Sequence, residues 1–202
     1  MRKTKIAVLV SGGGTNLQAL IDAQGSTLVS GEIALVVSNN AGAYALERAK
    51  KAGIETAVVL KKELGSQEAF ETRLKEILRS HGIEVIILAG FMTILTESFT
   101  ACYPKRILNV HPSLIPSFCG AGFYSLKVHQ AALDYGVKVT GATVHFVNEI
   151  PDGGEIIAQK AVEILPGDTP EILQRRVMEQ AEWILLPQAA ETVCAQLNKQ
   201  TN

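Results

Sequence analysis

The sequence predicts an α/β fold: a mainly parallel sheet with helices on both faces, extended by antiparallel strands in the C-terminal half and closed by a long C-terminal helix. Three observations lead there. Short apolar runs alternate with stretches of helical periodicity through the first hundred or so residues. The first apolar run ends in a glycine-rich loop that opens a helix. After about residue 138 the pattern changes to two β-rich segments joined by a compact turn.

Ile6-Ala7-Val8-Leu9-Val10 is a continuous apolar run followed by Ser11-Gly12-Gly13-Gly14, and Leu17, Leu20 and Ile21 then recur at helical spacing. The unit repeats: a strand over 33–37 leads through Ser38-Asn39-Asn40 to a helix carrying Tyr44, Leu46 and Ala49, and a strand over 56–60 precedes a helix over about 67–80. Val85-Ile86-Ile87-Leu88 ends in Ala89-Gly90-Phe91, and Arg106-Ile107-Leu108-Asn109-Val110 ends in His111-Pro112-Ser113. Strands this uniformly apolar are buried on both faces, which makes the sheet Rossmann-like, with ligands expected at the strand ends. Segments 139–147 and 155–163, joined around Pro151-Asp152-Gly153-Gly154, read as adjacent antiparallel strands. Thr169 as N-cap, Pro170 at the first helical position and Glu171 in the first turn start a helix expected to reach about residue 198 with a kink at Pro187.

The chain has 202 residues, 47% of them hydrophobic, enough for a single domain; we expect two lobes, about 1–100 and about 101–202, without a flexible tether. A formal net charge of −1 and the lack of a long basic run argue against nucleic acid as a partner. Cys102, Cys119 and Cys194 match no zinc or disulfide spacing, so free thiols, no metal and a reducing compartment are expected. No apolar run is long enough to span a membrane, and a cytoplasmic protein, monomer or homodimer, is expected.

Ser11-Gly12-Gly13-Gly14-Thr15-Asn16 suits an anion, because glycines let backbone amides approach it and the helix N-terminus adds partial positive charge. The dinucleotide fingerprint fits poorly: its third glycine falls on Leu17, and Ser38-Asn39-Asn40 stands where an acidic ribose ligand would be. A single phosphate fits better. The same loop shape also serves helix–strand packing with no ligand at all.

Asn109 and His111 alternate onto one side of a strand where it runs out. An amide and an imidazole at one spot can bind a developing oxyanion and handle a proton, the equipment of acyl transfer. Asp152 sits in a turn where a turn-forming role is commonest. His111 is also compatible with a core histidine bonded to backbone. His145, between Val144 and Phe146, reads as a satisfied structural histidine, His81 and His129 as surface residues, and Cys119 as a small side chain packed in a loop.

Together these segments resemble the phosphoribosylglycinamide formyltransferases, a family of folate-dependent transferases. The resemblance rests on residues 5–18, on Leu88-Ala89-Gly90-Phe91-Met92, on Asn109-Val110-His111-Pro112-Ser113-Leu114-Ile115-Pro116, and on residues 141–147 with Asp152-Gly153-Gly154, and it covers the chain from residue 5 to about 188. It implies transfer of a formyl group from 10-formyltetrahydrofolate, as co-substrate, to the amine of glycinamide ribonucleotide in purine synthesis. By the same resemblance Gly14, Thr15 and Asn16 hold the 5′-phosphate and Glu182 contacts that substrate. Leu88, Phe91, Met92, Thr93, Ile94 and Leu95, with Asn109 and the loop Asn148, Glu149, Ile150, Pro151 and Asp152, form the folate side. Asn109, His111 and Asp152 are the implied catalytic trio, with His145 supporting them from behind and no metal involved.

Four places depart from the family pattern. Thr93 and Gln67 stand where members carry arginines that meet the folate's glutamate tail. Gln180-Ala181-Glu182-Trp183 has one residue more than the family's Gln-Glu-His, and the loop 117–122 differs from the shorter loop of many members, a change expected to alter pocket shape but not chemistry. The rival readings are a formyltetrahydrofolate deformylase-like hydrolase, a methionyl-tRNA formyltransferase, and a non-catalytic phosphoribosyl sensor. The first two carry extra domains for which this chain has no room, and the third leaves Asn109, His111 and Asp152 without a purpose.

Overall fold

The computed structural model describes residues 2–200. Seven strands, β1 Thr4–Val10, β2 Gly31–Ser38, β3 Glu55–Val58, β4 Val85–Leu88, β5 Ile107–His111, β6 Val139–Phe146 and β7 Ile156–Glu163, form one sheet in the order β3-β2-β1-β4-β5-β6-β7. β1 to β5 run parallel, while β6 pairs antiparallel with β5 and β7 with β6. The helices are α1 Thr15–Ala23, α2 Tyr44–Lys51, α3 Lys61–Leu64, α4 Gln67–Ser80, α5 Glu97–Thr100, α6 Leu126–Tyr135, α7 Pro170–Val177 and α8 Trp183–Gln200.

Period-two alternation in β1 splits the core in two. Ile6, Val8 and Val10 join the layer under α1 and α8, while Ala7 and Leu9 join the one under α4 and α5. Both layers exclude water, which explains why β1 and β4 read as unbroken apolar runs. The strand order turns back at β1: the chain builds outward to β3, then returns to place β4 on the other flank. The loops after β1 and β4 therefore diverge and leave a crevice at the C-terminal ends of the strands. In β5, Leu108 and Val110 enter the first core layer, so Asn109 and His111 share the opposite face and end at that crevice.

The C-terminal helix departs from expectation. It is interrupted by a π turn, Met178–Glu182, between α7 and α8, and Pro187 lies inside α8. The wide turn lies a few residues N-terminal of the proline. α8 is tied to the strand starts by side chains: Asn198 Nδ2 donates to the Ser30 carbonyl at 2.9 Å, and Glu191 accepts from the Val29 and Ser30 amides at 2.9 and 2.8 Å.

His129 is not at the surface. It lies fully buried on the inner face of α6 beside Val128 and Ala132, where helical periodicity with Ala132 and Leu133 could have placed it. Neither ring nitrogen has a hydrogen-bond partner among the described residues, and burial, helped by the nearby His111, holds its pKa down at about 4 instead of 6.5. Between those values the unfolded chain takes up a proton that the folded chain refuses. Stability contributed by the neutral ring is therefore whole above pH 6.5 and lost as pH falls toward 4, by on the order of 3 kcal/mol. In urea titrations across that window His129→Leu is expected to lose much less stability than the unsubstituted chain. Parallel losses would show that the folded state protonates this ring freely.

Candidate active site

The site begins with the β5–β6 register, which sets Asn109 directly opposite His145. The Asn109 amide nitrogen lies 3.2 Å from His145 Nε2 and donates to Asp152 Oδ1 at 3.4 Å. His145 Nδ1 is 2.8 Å from the Phe146 carbonyl, and its Nε2 also lies 3.6 Å from Asp152 Oδ1. His111 places Nδ1 3.3 Å from Asp152 Oδ2 and Nε2 2.9 Å from the Phe118 carbonyl. Both ring nitrogens thus face acceptors, an environment that only the doubly protonated ring satisfies in full. His111 and His145 are almost wholly buried.

Asp152 reaches this group from the β6–β7 connection with φ 56°, in the left-handed region that aspartate tolerates better than most residues. Gly154 lets the turn fold back so closely: a Cβ there would stand 1.7 Å from the Phe146 carbonyl oxygen. Burial pushes the Asp152 carboxyl up, but the His145 hydrogen bond, the Gly120 amide and the charges of His111 and His145 outweigh it and hold the pKa below the ordinary value. Asp152 is therefore more than a turn-former.

The loop 117–122, expected to affect only pocket shape, touches the reacting groups: the Phe118 carbonyl holds His111, and the Gly120 amide donates to Asp152 Oδ2 at 2.9 Å. These are backbone groups, so no side-chain pattern announced them. Cys119 between them donates to the Pro116 carbonyl at 3.3 Å, and burial raises its thiol pKa, with Asp152 adding to the effect.

Asn109, His145 and Asp152 line one end of a cavity of about 120 Å³. Every residue of the expected folate set except Glu149 lines it, and Val147 joins them; Glu149 faces a neighbouring cavity beside Glu97 and Lys105. Larger cavities, about 430 Å³ along α1 and about 650 Å³ beside α8, hold none of Asn109, His111, His145 and Asp152. No group of His, Cys, Asp and Glu among the described residues is arranged to hold a metal ion.

The glycine loop lies across the crevice, and the Met92 amide ties it to the cavity by donating to Ser11 Oγ at 2.9 Å. Gly14 caps α1 in a left-handed conformation, φ 73°, where a Cβ would sit 2.6 Å from that of Ala45. No side chain caps α1 and no acidic residue lies in its first turn, so its N-terminal amides are open to an anion. Arg48, unremarked in the sequence, holds the loop through Nε to the Gly13 carbonyl at 2.8 Å. The π turn closes over both remaining candidates: the Thr15 hydroxyl meets Met178 Sδ at 3.8 Å, and Asn16 Nδ2 donates to Glu182 Oε2 at 2.7 Å. Burial pushes the Glu182 carboxyl up to about 7 against the opposing Asn16 bond. Asn16 Oδ1 is buried without a partner among the described residues, ready to accept. The sequence-predicted residues thus form two groups, Asn109, His111, His145 and Asp152 in contact with one another and Gly14, Thr15, Asn16 and Glu182 around the start of α1.

The formyl transferase family model matches residues 4–189. The trifunctional purine biosynthetic protein adenosine-3 of Gallus gallus is 47% identical over 193 residues, 96% of this chain and 19% of that protein, so the chain spans about a fifth of such relatives. The phosphoribosylglycinamide formyltransferase of Haemophilus influenzae is 46% identical over 87% of this chain and 81% of its own length. The crystal structure of glycinamide ribonucleotide transformylase 1 from Symbiobacterium toebii superposes with a TM-score of 0.90 at 40% identity, covering 96% of this chain and 89% of that one. Sequence, topology and the order of the motifs agree: the chain belongs to the formyl transferase family, on its phosphoribosylglycinamide formyltransferase branch.

Proposed function

We propose that this chain transfers the formyl group of 10-formyltetrahydrofolate to the amine of N1-(5-phospho-D-ribosyl)glycinamide, giving the N-formyl ribonucleotide and tetrahydrofolate in purine synthesis. The observation that carries this reading is the convergence of Asn109, His111 and Asp152, where Asn109 and Asp152 line a mainly apolar cavity that the Met92 amide ties to an uncapped, glycine-rich helix start. The donor's pterin enters the cavity between residues 88–95 and the loop after β6. The ribonucleotide's phosphate rests on Gly14, Thr15 and Asn16, with Glu182 beside it.

The amine nitrogen attacks the formyl carbon and the carbonyl electrons move onto oxygen. His111, doubly protonated, and the Asn109 amide stabilise that oxyanion; the longer Asn109 bond, 3.4 Å to Asp152, is the one it displaces. Asp152 holds His111 in orientation and helps carry the proton lost by the amine to the folate N10, which leaves. Fixing two bound substrates face to face supplies much of the remaining acceleration. His145 orients the Asn109 amide. No helix among the described residues is long and apolar enough to cross a membrane, and the three free cysteines suit a reducing cytoplasm.

The test is a spectrophotometric assay with a 10-formylfolate donor, run with the ribonucleotide, without it, and with its unphosphorylated riboside. Transfer that requires the ribonucleotide supports the proposal; donor cleavage regardless of acceptor means a deformylase, and no turnover favours a binding protein. In the same assay Thr15→Ala is expected to raise the ribonucleotide's KM several-fold with kcat nearly unchanged, about the loss of one charge-assisted hydrogen bond. An equal loss with the riboside would count against phosphate at this loop.

A further inference from the structure

The cavity of about 430 Å³ along α1 holds none of the reacting groups, yet it begins at the glycine loop. Thr15, Gln18, Asp22 and Ser26 line it at intervals of three to four residues, so they form one stripe from the start of α1 to the turn beyond its end. Arg48 from α2 and Trp183 from the start of α8 complete it.

Its polar groups are ordered along that stripe. Near Thr15 the Arg48 guanidinium donates to the Gly13 carbonyl at 2.8 Å and to Gln18 Oε1 at 3.0 Å, and the Tyr44 ring centroid lies 5.1 Å from its Cζ. One turn further, Gln18 Nε2 donates to Asp22 Oδ1 at 2.8 Å. Among the described residues Arg48 meets no carboxylate and Asp22 no cation; a neutral amide holds the two charges apart. The indole Nε1 of Trp183 is buried without a partner among the described residues, so what the ring offers the cavity is carbon.

An occupant of this groove needs an anion at one end, an N–H donor at the other and a flat apolar body to lie on the indole. Thr15 and Asp22 are seven residues apart on one helix, roughly 10 Å, which suits the reach from phosphate to base edge in a nucleoside monophosphate. A carboxylate only accepts, so it selects a base edge that donates. A two-ring base also covers more of the indole than a one-ring base.

We infer that this groove binds a purine nucleoside monophosphate bearing an amino group, with its phosphate at Thr15 and Arg48, its base on Trp183 and its amino group on Asp22. Thr15 also belongs to the loop proposed to hold the substrate's phosphate, so the nucleotide and the ribonucleotide exclude each other. That consequence rests on the proposed function, whereas the site itself does not.

Trp183 is the chain's single tryptophan, so its emission reports on this groove directly. The probes are GMP, IMP, which lacks the amino group, and guanosine, which lacks the phosphate. GMP is expected to change the emission saturably and to bind about 10-fold more tightly than either of the others, the scale of one hydrogen bond to a charged group. In Asp22→Ala the GMP affinity should fall to that of IMP, while kcat and the ribonucleotide KM measured without nucleotide stay within twofold. In the transfer assay GMP should raise the ribonucleotide KM, far less so in the variant, and leave the donor KM unchanged. The lack of a saturable response to GMP, equal binding of guanosine, or a GMP–IMP difference that survives in Asp22→Ala overturns the inference. Inhibition that added ribonucleotide does not relieve removes the shared phosphate end and overturns it too. Nucleotide binding without formyl transfer would defeat the proposed reaction while leaving the groove assignment standing.

Discussion

Asp152→Asn is expected to lower kcat by on the order of 10²–10⁴, the range spanned by loss of a positioned proton-handling group. Asparagine is chosen because it is nearly isosteric and tolerates the left-handed backbone at this position as well as aspartate does, so the turn need not rearrange. What changes is charge and polarity. One carboxylate serves the Asn109 amide, the Gly120 amide and His111 Nδ1, and all three present donors when His111 is protonated. An amide offers one oxygen, and its NH2 must face at least one of those donors. The unfolding midpoint should move little compared with the loss in turnover. A variant retaining a third or more of wild-type kcat would remove Asp152 from the mechanism, and with it the account of how His111 is held.

The second large effect concerns a residue that touches no substrate. Gly154→Ala places a methyl 1.7 Å from the Phe146 carbonyl oxygen and 2.7 Å from its carbon, so backbone must move. That carbonyl orients His145, and the turn that would be displaced carries Asp152. We expect about 1–3 kcal/mol of destabilisation from the overpacked contact. We also expect a fall in kcat of roughly 10², the scale associated with displacing a catalytic group by about 1 Å. Urea unfolding measures the first and single-turnover kinetics the second. Loss of stability with kcat intact would mean that the Asp152 turn is not what sets the geometry.

How much of this was legible in the sequence follows from where the information lies. The central strands β1 and β4 were visible as apolar runs, because burial on both faces leaves no room for polar side chains, and bounds moved by only a residue or two, as in β5, which includes His111. Asn109 and His111 could be paired because strand alternation is a strict local rule. His145 could not be separated from a core histidine: its role depends on lying opposite Asn109, a register that only the β5–β6 pairing reveals. The part played by loop 117–122 is carried by a carbonyl and an amide, which every residue possesses. His129 was misplaced because a histidine in a helix is usually solvated, although its apolar neighbours at 132 and 133 pointed inward. The π turn at Met178–Glu182 was not foreseen, because the helical pattern of apolar residues runs through it without a break.

That π turn also bears on how such a chain tolerates change in length. A residue added to an ordinary helix rotates everything beyond it by about 100°. A five-residue π turn can take up such a surplus locally, and beyond it α8 buries Leu186, Ala190, Val193 and Cys194 against the sheet. Helix phase is thus decoupled from chain length at one place, and Glu182 stands at its edge, facing Asn16. Insertions here are filtered by the direction in which one carboxyl points, not by whether the core can close.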